Sequence, residues 1–193
     1  MNPNKALWEK GDFTRIAETM RESGAALVAK LNIAEGLKVL DLGCGDGTTA
    51  IPAAQLGAKV LGVDIARNLV AAGNARIAEL GLTNCSIQEG DAMLWGVESA
   101  VTERFVQAGI PAEKITFERD TFTFNTNDTP VALVNRFRQF YGPTMNAFEA
   151  AEKNGKARLL QEELGALFVS QNKSGNAQTT SIPATYMRVT VVR

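Results

Sequence analysis

The chain has 193 residues, of which 45% are hydrophobic and 21% are charged, and its formal net charge is −1 at pH 7. This composition is typical of one globular domain, and so small a charge gives no electrostatic reason to expect nucleic acid or an anionic membrane as partner. The sequence contains no histidine, which excludes histidine-dependent triads and paired-histidine metal sites. Since no stretch approaches about 18 apolar residues and no apolar signal core follows Met1, we expect a cytoplasmic protein without a membrane span.

Two cysteines are too few for a disulfide framework or a zinc site. Cys44 lies in a glycine-rich turn, and Cys85 lies at the start of a predicted strand. Free cysteine behaves as a small hydrophobic residue, so we expect both side chains to pack in the interior rather than to react.

The first predicted helix precedes the glycine-rich turn. Residues 4–11 form an entry segment, and Asp12 is suited to cap the helix that follows. Apolar residues recur at helical spacing from Phe13 to Leu31, and Gly24 is a predicted kink or break in this helix. Core packing is one interpretation of Trp8 and Phe13.

Three glycines at alternate positions follow a short buried strand at residues 37–42. Gly43, Gly45 and Gly47 permit a backbone with positive φ, or one that lies against a ligand, because they carry no Cβ. A helix follows the turn and presents unpaired N–H groups at its N-terminus. The strand, the turn and the helix together predict a cradle for a nucleotide-like ligand at the edge of a parallel sheet.

Two further strands follow, and an acidic residue marks the end of each. The strand at residues 59–64 ends at Asp64, whose carboxylate can accept hydrogen bonds from both hydroxyls of a ribose. A helix is predicted at residues 65–80, and the strand at residues 86–89 runs towards Asp91. This βαβαβ order predicts parallel strands joined by right-handed crossovers.

The sequence VLDLGCGDGTT, followed by VDIA and then by EGDA, resembles the class I S-adenosylmethionine (SAM) dependent methyltransferases, in particular those that act on small molecules. The resemblance covers about residues 4–92. It implies an α/β fold with a Rossmann-like sheet and helices on both faces, SAM as the cofactor and S-adenosylhomocysteine as its product. It also implies the following cofactor-binding residues: Asp41, Gly43, Cys44, Gly45, Gly47, Asp64, Ile65, Asp91, Ala92, Trp8 and Phe13.

The resemblance assigns each part of SAM to its own residues. Asp41 and the turn at residues 43–47 approach the methionine part, whose carboxylate faces the backbone N–H groups of the turn. Asp64 holds the ribose, and Ile65 lies against the adenine ring. Each acidic residue has a second interpretation, as a carboxylate that caps a turn or a helix.

The remaining residues of the set would enclose the adenine. Asp91 would accept a hydrogen bond from the adenine amino group, and the N–H of Ala92 would point at a ring nitrogen. The segment before the first strand often folds over SAM in this family, which makes Trp8, Phe13 and Thr14 candidates for a lid. The methyl group of SAM is already activated, so the chemistry requires no metal, and no catalytic residue is assigned.

The sequence departs from the family after Ala92. The block that should carry strands four and five is missing, and the rest resembles the C-terminal tail of the small-molecule subgroup. That tail predicts a helix at residues 98–108, a strand at 114–124, helices at 130–141 and 143–171, and a closing strand at 184–193.

The missing block determines the predicted architecture. We expect a single domain, with a cofactor-binding half at residues 1–92 and the family tail at 93–193. The sheet should have about five strands, with the last two antiparallel and the closing strand joined directly to strand one. A monomer is the preferred state because this joining covers both bare edges, and a domain-swapped or edge-paired homodimer is the alternative.

The acceptor side of the site is poorly defined. Tyr141 and Tyr186 could act as acid or base, although packing is the simpler interpretation. Arginines in the C-terminal half could bind an anionic acceptor, although a solvated face is the simpler interpretation; these are Arg119, Arg136 and Arg138.

Three functions are open at this point. The first is a SAM-dependent methyltransferase for a small-molecule acceptor, weakened by the missing block. The second is a protein that binds SAM or S-adenosylhomocysteine without catalysis. The third, a nicotinamide-dependent oxidoreductase, is disfavoured because its fingerprint is G-x-G-x-x-G.

Overall fold

The structure, a computed structural model, describes residues 4–91 and 96–191. The elements up to residue 91 are α1 (Lys5–Trp8), α2 (Thr14–Ala17), a 3-10 turn (Glu18–Met20), α3 (Arg21–Lys30), β1 (Lys38–Leu42), α4 (Ala50–Gln55), β2 (Lys59–Asp64), α5 (Arg67–Glu79) and β3 (Cys85–Glu89). The elements after residue 95 are α6 (Glu98–Gln107), a 3-10 turn (Ala112–Lys114), β4 (Ile115–Thr126), α7 (Pro130–Phe140), α8 (Gly142–Lys153), α9 (Ala157–Gln171) and β5 (Thr180–Val191). Within these two ranges, none of the helices combines the length and the apolar character that crossing a bilayer requires.

The first three strands form a parallel sheet in the order β1-β2-β3. Val39 pairs with Val60, and Val60 pairs with Cys85, so the carboxyl ends of the three strands lie at one edge. The predicted βαβαβ unit is therefore confirmed. Its geometry places the glycine turn after β1 beside the ends of β2 and β3.

Helices α4 and α5 cover one face of this sheet. The core beneath them includes Ala50, Ala54, Val60, Ile77 and Ile87, each at most 5% exposed. Both cysteines are buried and free, as the sequence predicts.

Two residues of α5 fix this helix to β3. Asn74 donates to the carbonyl oxygen of Ile87 at 2.7 Å and accepts from the N–H of Ile87 at 3.0 Å. A Cβ on Gly73 would lie 2.4 Å from Cδ1 of Ile87, so the close approach of helix and strand requires glycine. The side chain of Asn74 thereby satisfies backbone groups at the outer edge of β3.

The opposite face of the sheet is bare within the described residues. Leu40 and Leu61 are paired across β1 and β2, and they are 57% and 36% exposed. They line a hollow of about 740 Å³. The expectation of helices on both faces is thus met on one face only, because both crossover helices of a right-handed β3-β2-β1 arrangement lie on the same side.

The last two strands form a separate antiparallel ribbon, in which Ile115 pairs with Val191 and Thr126 with Thr180. The α/β class, the five strands and the antiparallel last pair are confirmed. The direct joining of β1 to the closing strand is wrong, because the ribbon packs on α3 and on the 3-10 turn at residues 18–20. Ser23 in α3 accepts from the N–H of Thr123 at 3.0 Å and donates to its carbonyl oxygen at 2.9 Å.

Two predicted helices are divided at places that the sequence pattern did not indicate. The N-terminal helix breaks at the 3-10 turn rather than at Gly24, which instead lets α3 approach the glycine turn: a Cβ there would lie 2.5 Å from the carbonyl oxygen of Thr48. The predicted helix at residues 143–171 is two helices, α8 and α9, separated at Gly155 with φ +67°.

Candidate functional site

A cavity of about 340 Å³ lies at the carboxyl edge of the three-stranded sheet. Its floor contains Gly43 and Gly45 of the turn after β1, together with Asp64 and Ile65 at the end of β2. The other lining residues come from the N-terminal segment and from α5: Trp8, Phe13, Met20 and Leu69. The structure therefore brings six of the predicted cofactor residues to one cavity.

The three glycines of the turn have different roles. Gly43 and Gly45 have φ of +71° and +56°, and a Cβ on either would meet no heavy atom within 4 Å. Gly47 has φ +88°, and a Cβ there would lie 2.9 Å from Cδ1 of Ile51. Gly43 and Gly45 thus leave open space beside the backbone for a ligand, whereas Gly47 makes room for packing.

The backbone N–H groups of the turn are used within the protein. Gly43 and Cys44 donate to the carbonyl oxygen of Val63 at 2.8 and 3.2 Å. Gly45 donates to Oδ2 of Asp64 at 2.8 Å. The expectation that these N–H groups face the methionine carboxylate is therefore not met for these three residues, since β2 provides their acceptors.

Asp64 is 7% exposed and links the turn to the next helix. Its Oδ1 accepts from the N–H of Ala66 at 2.9 Å, and its Oδ2 accepts from Gly45. The carboxylate of Asp64 therefore does cap the turn, as its second interpretation predicts. A carboxylate has about four acceptor positions, so two bonds leave capacity for a ligand in the cavity that Asp64 lines.

Asp41, at the end of β1, accepts a hydrogen bond from the hydroxyl of Thr49. Burial is the main cause that raises the pKa of the Asp41 carboxyl above its usual value. Cys44 is 4% exposed and packs over Gly62, where a Cβ would lie 2.8 Å from its Sγ. Burial, followed by the charge of Asp41, also raises the pKa of the Cys44 thiol.

The aromatic side chains of the N-terminal segment form a roof over the cavity. The ring centroids of Trp8 and Phe13 are 6.2 Å apart, and those of Phe13 and Tyr141 are 5.5 Å apart. The packing interpretation of Tyr141 is therefore supported, and Trp8 and Phe13 both pack on each other and line the cavity. Thr14, the first residue of α2, donates from its N–H at 3.2 Å and from its hydroxyl at 2.5 Å to Asp12, whereas the N-cap residue is Phe13 rather than the expected Asp12.

Ion pairs fasten this roof to the sheet. Lys5 of α1 forms a salt bridge with Glu89 at the end of β3. Glu9 accepts from the N–H of Arg67 at 3.1 Å, and Arg67 donates to Glu89 at 3.2 Å. Hydrogen bonds from Lys5 and Arg67 lower the pKa of Glu89. Helix α1 therefore lies across the ends of β2 and β3.

The sequence interpretation missed a buried carboxylate in the turn. Asp46 is 1% exposed, and its two oxygens are bound by the guanidinium of Arg21, with Oδ1 at 2.8 Å. Arg76 of α5 lies 3.5 Å from the same carboxylate and donates to the carbonyl oxygen of Asp46. Arg21 also donates to the hydroxyl of Thr48 at 2.6 Å. No motif or periodicity links these residues, because the contacts are made between separate elements.

Asp91 follows β3 and is exposed at the same edge of the sheet. The N–H of Gly90 donates to the carbonyl oxygen of Asp64 at 2.9 Å, which brings the chain to the end of β2. Ala92 lies outside the described residues, so its predicted contact with adenine is untested.

The arginines considered for an anionic acceptor are paired or exposed. Arg136 donates to Asp128 at 2.5 Å, and Arg138 donates to Glu152 at 3.1 Å and lies over the ring of Phe148. Arg119 is exposed on β4. These contacts favour the solvated-face interpretation.

Residues 33–105 match a family model that describes a methyltransferase domain. An uncharacterised protein of Mycobacterium tuberculosis is 39% identical over 90 residues, which are 46% of this chain and 32% of that protein. A sterol 4-C-methyltransferase of Caenorhabditis elegans is 33% identical over 83 residues, which are 42% of this chain and 25% of that enzyme.

Among solved structures, a geranyl diphosphate methyltransferase in complex with GPP and sinefungin is 29% identical, over 36% of this chain and 27% of that chain. The TM-score of this comparison is 0.34. The matched segments span about a third or less of these relatives. The resemblance to SAM-dependent methyltransferases that the three motifs predict is thus confirmed over residues 33–105, the segment that matches the methyltransferase domain.

Proposed function

We propose that the chain binds SAM in the cavity over the glycine turn and acts as a methyltransferase on a small molecule. The observation that carries this proposal is the open space beside Gly43 and Gly45, directly above the buried carboxylate of Asp64. This cradle lies inside the matched methyltransferase segment, and SAM is the cofactor that the match indicates. Its volume of about 340 Å³ falls in the range of about 300 to 1,000 Å³ of small-molecule sites.

Different residues of the chain would contact different parts of the cofactor. Asp64 would accept from the ribose hydroxyls, Ile65 would lie against the adenine ring, and Asp91 would take the adenine amino group. Trp8 and Phe13 would exclude water from above. When bound, SAM supplies a methyl group that its sulfonium already activates. The chain therefore has to position the acceptor and exclude water from the site, and it does not have to activate the methyl group.

Asp41 would stand near the methionine part. Its carboxylate lies at the end of β1 and accepts hydrogen bonds from the hydroxyl of Thr49 and from the backbone N–H of Ala50. A buried carboxylate is stabilised by a positive charge, which the ammonium of the methionine part would provide. Asp41 would thus bind the methionine part of SAM in place of the N–H groups of the turn, because those N–H groups donate to acceptors within the protein.

A second candidate is a protein that binds SAM or S-adenosylhomocysteine without turnover. The exposure of Leu40 favours it, because the described residues leave this sheet face without the cover that the family pattern leads us to expect. Methyl transfer to a panel of small acceptors distinguishes the two candidates.

We propose that the chain is a single domain with a cofactor-binding half at residues 1–92, and that neither nucleic acid nor a membrane is its partner. The cytoplasm remains the proposed compartment, since the two cysteines are free. The preference for a monomer over a homodimer depended on β1 joining the ribbon. Because β1 pairs with β2 alone among the described strands, we propose self-association at high concentration.

Calorimetry with S-adenosylhomocysteine tests the site directly, with two matched variants. Gly43→Ala and Gly81→Ala both place alanine at positive φ, +71° and +66°, with no heavy atom within 4 Å of the added Cβ. Each should cost about 1 to 2 kcal/mol of stability. Only Gly43→Ala should also weaken binding, because only Gly43 lines the cavity. Equal affinities in the two variants, or no binding to the unmodified chain, contradict the proposal.

A further inference from the structure

A second cavity, of about 480 Å³, lies between the glycine turn and the β4–β5 ribbon. We call it the ribbon chamber. Asp41 of β1 and Thr49, the N-cap residue of α4, line one side, and Phe122, Ala184 and Tyr186 of the ribbon line the other. It shares four lining residues with the cofactor cavity, so the two cavities adjoin: Phe13, Met20, Gly43 and Gly45.

The ribbon chamber has no positive charge in its wall. In the part of the chain that the structure describes, neither lysine nor arginine lines it. Its two carboxylates are Asp41 and Asp46, and Asp46 is already bound by Arg21 and Arg76. In the chain without cofactor, an anionic guest would therefore meet the carboxylate of Asp41 and find no cationic side chain in the wall to pair with.

The ribbon side of the chamber is aromatic. The rings of Phe122 and Tyr186 meet edge to face, with centroids 5.0 Å apart. The hydroxyl of Tyr186 is hydrogen bonded to Asp120, and burial together with that carboxylate raises its pKa to about 12. Tyr186 is thus neutral near pH 7, and it presents its ring rather than a charge.

We propose that the ribbon chamber holds the methyl acceptor, and that this acceptor is a small, largely apolar amine or alcohol without negative charge. The inference rests on the proposed function and adds the acceptor class to it. Transfer of the methyl carbon to the acceptor nitrogen or oxygen leaves the carbon–sulfur electron pair on sulfur, and the proton of the acceptor passes to Asp41 or to water.

The position of the chamber supports this assignment. Asp41 and Gly43 would contact the methionine part of the cofactor, which is the part that carries the methyl group. Phe122 and Tyr186 line the same chamber as Asp41 and Gly43. A guest between them would lie beside the methyl donor, which is the arrangement that positioning catalysis requires.

Three probes of similar size and different charge test the chamber: 2-phenylethylamine, 2-phenylethanol and phenylacetate. Their binding is measured by saturation-transfer NMR on the full chain, first with and then without S-adenosylhomocysteine. We expect the amine and the alcohol to bind, and phenylacetate to bind at least about tenfold more weakly, since like charges in contact oppose association. Equal binding of phenylacetate overturns the proposal.

Variants locate the bound probes. Ala184→Trp should fill the chamber and abolish probe binding while S-adenosylhomocysteine affinity stays within about twofold. Thr190→Trp is the matched control, because Thr190 is exposed on the same strand and should leave both affinities unchanged. Unchanged probe binding in a folded Ala184→Trp chain also overturns the proposal.

A conservative second variant keeps the proposal testable if Ala184→Trp does not fold. Asp41→Asn keeps an acceptor for Thr49 and removes the negative charge, so the discrimination against phenylacetate should fall. Probes that bind in the predicted order while S-adenosylhomocysteine does not bind would support the chamber and contradict the proposed function. Discrimination that is the same in Asp41→Asn would contradict the charge argument itself.

Discussion

The guanidinium of Arg21, in the helix before β1, binds both carboxylate oxygens of Asp46, which is 1% exposed within the glycine turn. A buried carboxylate is tolerated only when it is paired and hydrogen bonded. Since Arg21 belongs to α3 and Arg76 to α5, the pair of arginines attaches two helices to the turn that the ligand would contact.

Arg21→Met should lower the free energy of unfolding by about 1 to 3 kcal/mol, because Asp46 would lose a buried charged partner and keep only Arg76. Urea denaturation monitored by circular dichroism measures the change. Arg15→Met is the matched control, since the side chain of Arg15 is 56% exposed and its carboxylate partners lie 3.7 Å away. An effect of similar size in both variants would show that Asp46 does not depend on Arg21.

The elements of this fold are readable in the sequence where one strand or helix carries its own pattern. The glycine turn, the end of β2 at Asp64 and the Thr129 cap of α7 all depend on adjacent residues, and the structure has each of them. Gly24 shows the limit of such patterns. The sequence pattern predicts that Gly24 breaks the helix. In the structure it instead allows α3 to approach Thr48 closely, and this contact depends on the tertiary arrangement.

The candidate site likewise has some features that adjacent residues encode and others that form between elements distant in the sequence. Gly43, Gly45, Asp64 and Ile65 belong to local motifs and were predicted, and they line one cavity. The Arg21–Asp46 pair and the ribbon chamber arise where elements distant in the sequence meet. No spacing rule encodes them, because the docking of β4 on α3 depends on contacts such as that between Ser23 and Thr123.

Asp64→Asn should weaken the binding of S-adenosylhomocysteine by about 1 to 3 kcal/mol, the cost of leaving a buried polar group without its partner. Asp64 also holds Gly45 and Ala66, so a loss of affinity alone would not identify the ribose contact. The 2′-deoxy form of S-adenosylhomocysteine separates the two roles in a double-mutant cycle by calorimetry. A ribose contact makes the variant less costly for the deoxy ligand, whereas equal losses for both ligands would assign Asp64 to the turn alone.

Asp41 should make the ligand-free chain less stable as the pH rises. Burial raises the pKa of Asp41 in the folded state, so the folded chain holds this proton more tightly than the unfolded chain does. The stabilisation is complete below the unfolded pKa of about 3.9 and is lost as the pH rises from there through the folded pKa.

Asp41→Asn removes this titration and retains an acceptor for the hydroxyl of Thr49. The stability of the variant relative to the unmodified chain should therefore improve between pH 4 and pH 8. Urea denaturation at the two pH values measures the difference, with Glu113→Gln as an exposed control. A difference between variant and parent that does not change with pH would contradict the assignment.

Methyl transfer should be slower than about 1 s⁻¹, the lower end of the usual range of kcat. Positioning supplies about 7 to 11 kcal/mol of barrier reduction in well-formed sites. The family pattern places strands four and five beside β1, and the described residues put no strand there, so fewer elements hold the acceptor rigidly. Mass spectrometry of S-adenosylhomocysteine formed with a panel of small amines and alcohols measures the rate, and turnover above about 1 s⁻¹ would refute the expectation.

The bare face of the three-stranded sheet should make the chain associate with itself as its concentration rises. Leu40 and Leu61 form an apolar patch next to the edge of β1, and exposed apolar faces and strand edges are sites of association. Sedimentation velocity across a concentration range should show a rising average mass. Leu40→Lys should reduce that rise, because it places a charge in the centre of the patch, whereas Leu80→Lys, at a residue 50% exposed beyond the end of α5, should not. A mass that stays at the monomer value at every concentration, or equal behaviour of the two variants, would show that this face does not mediate association.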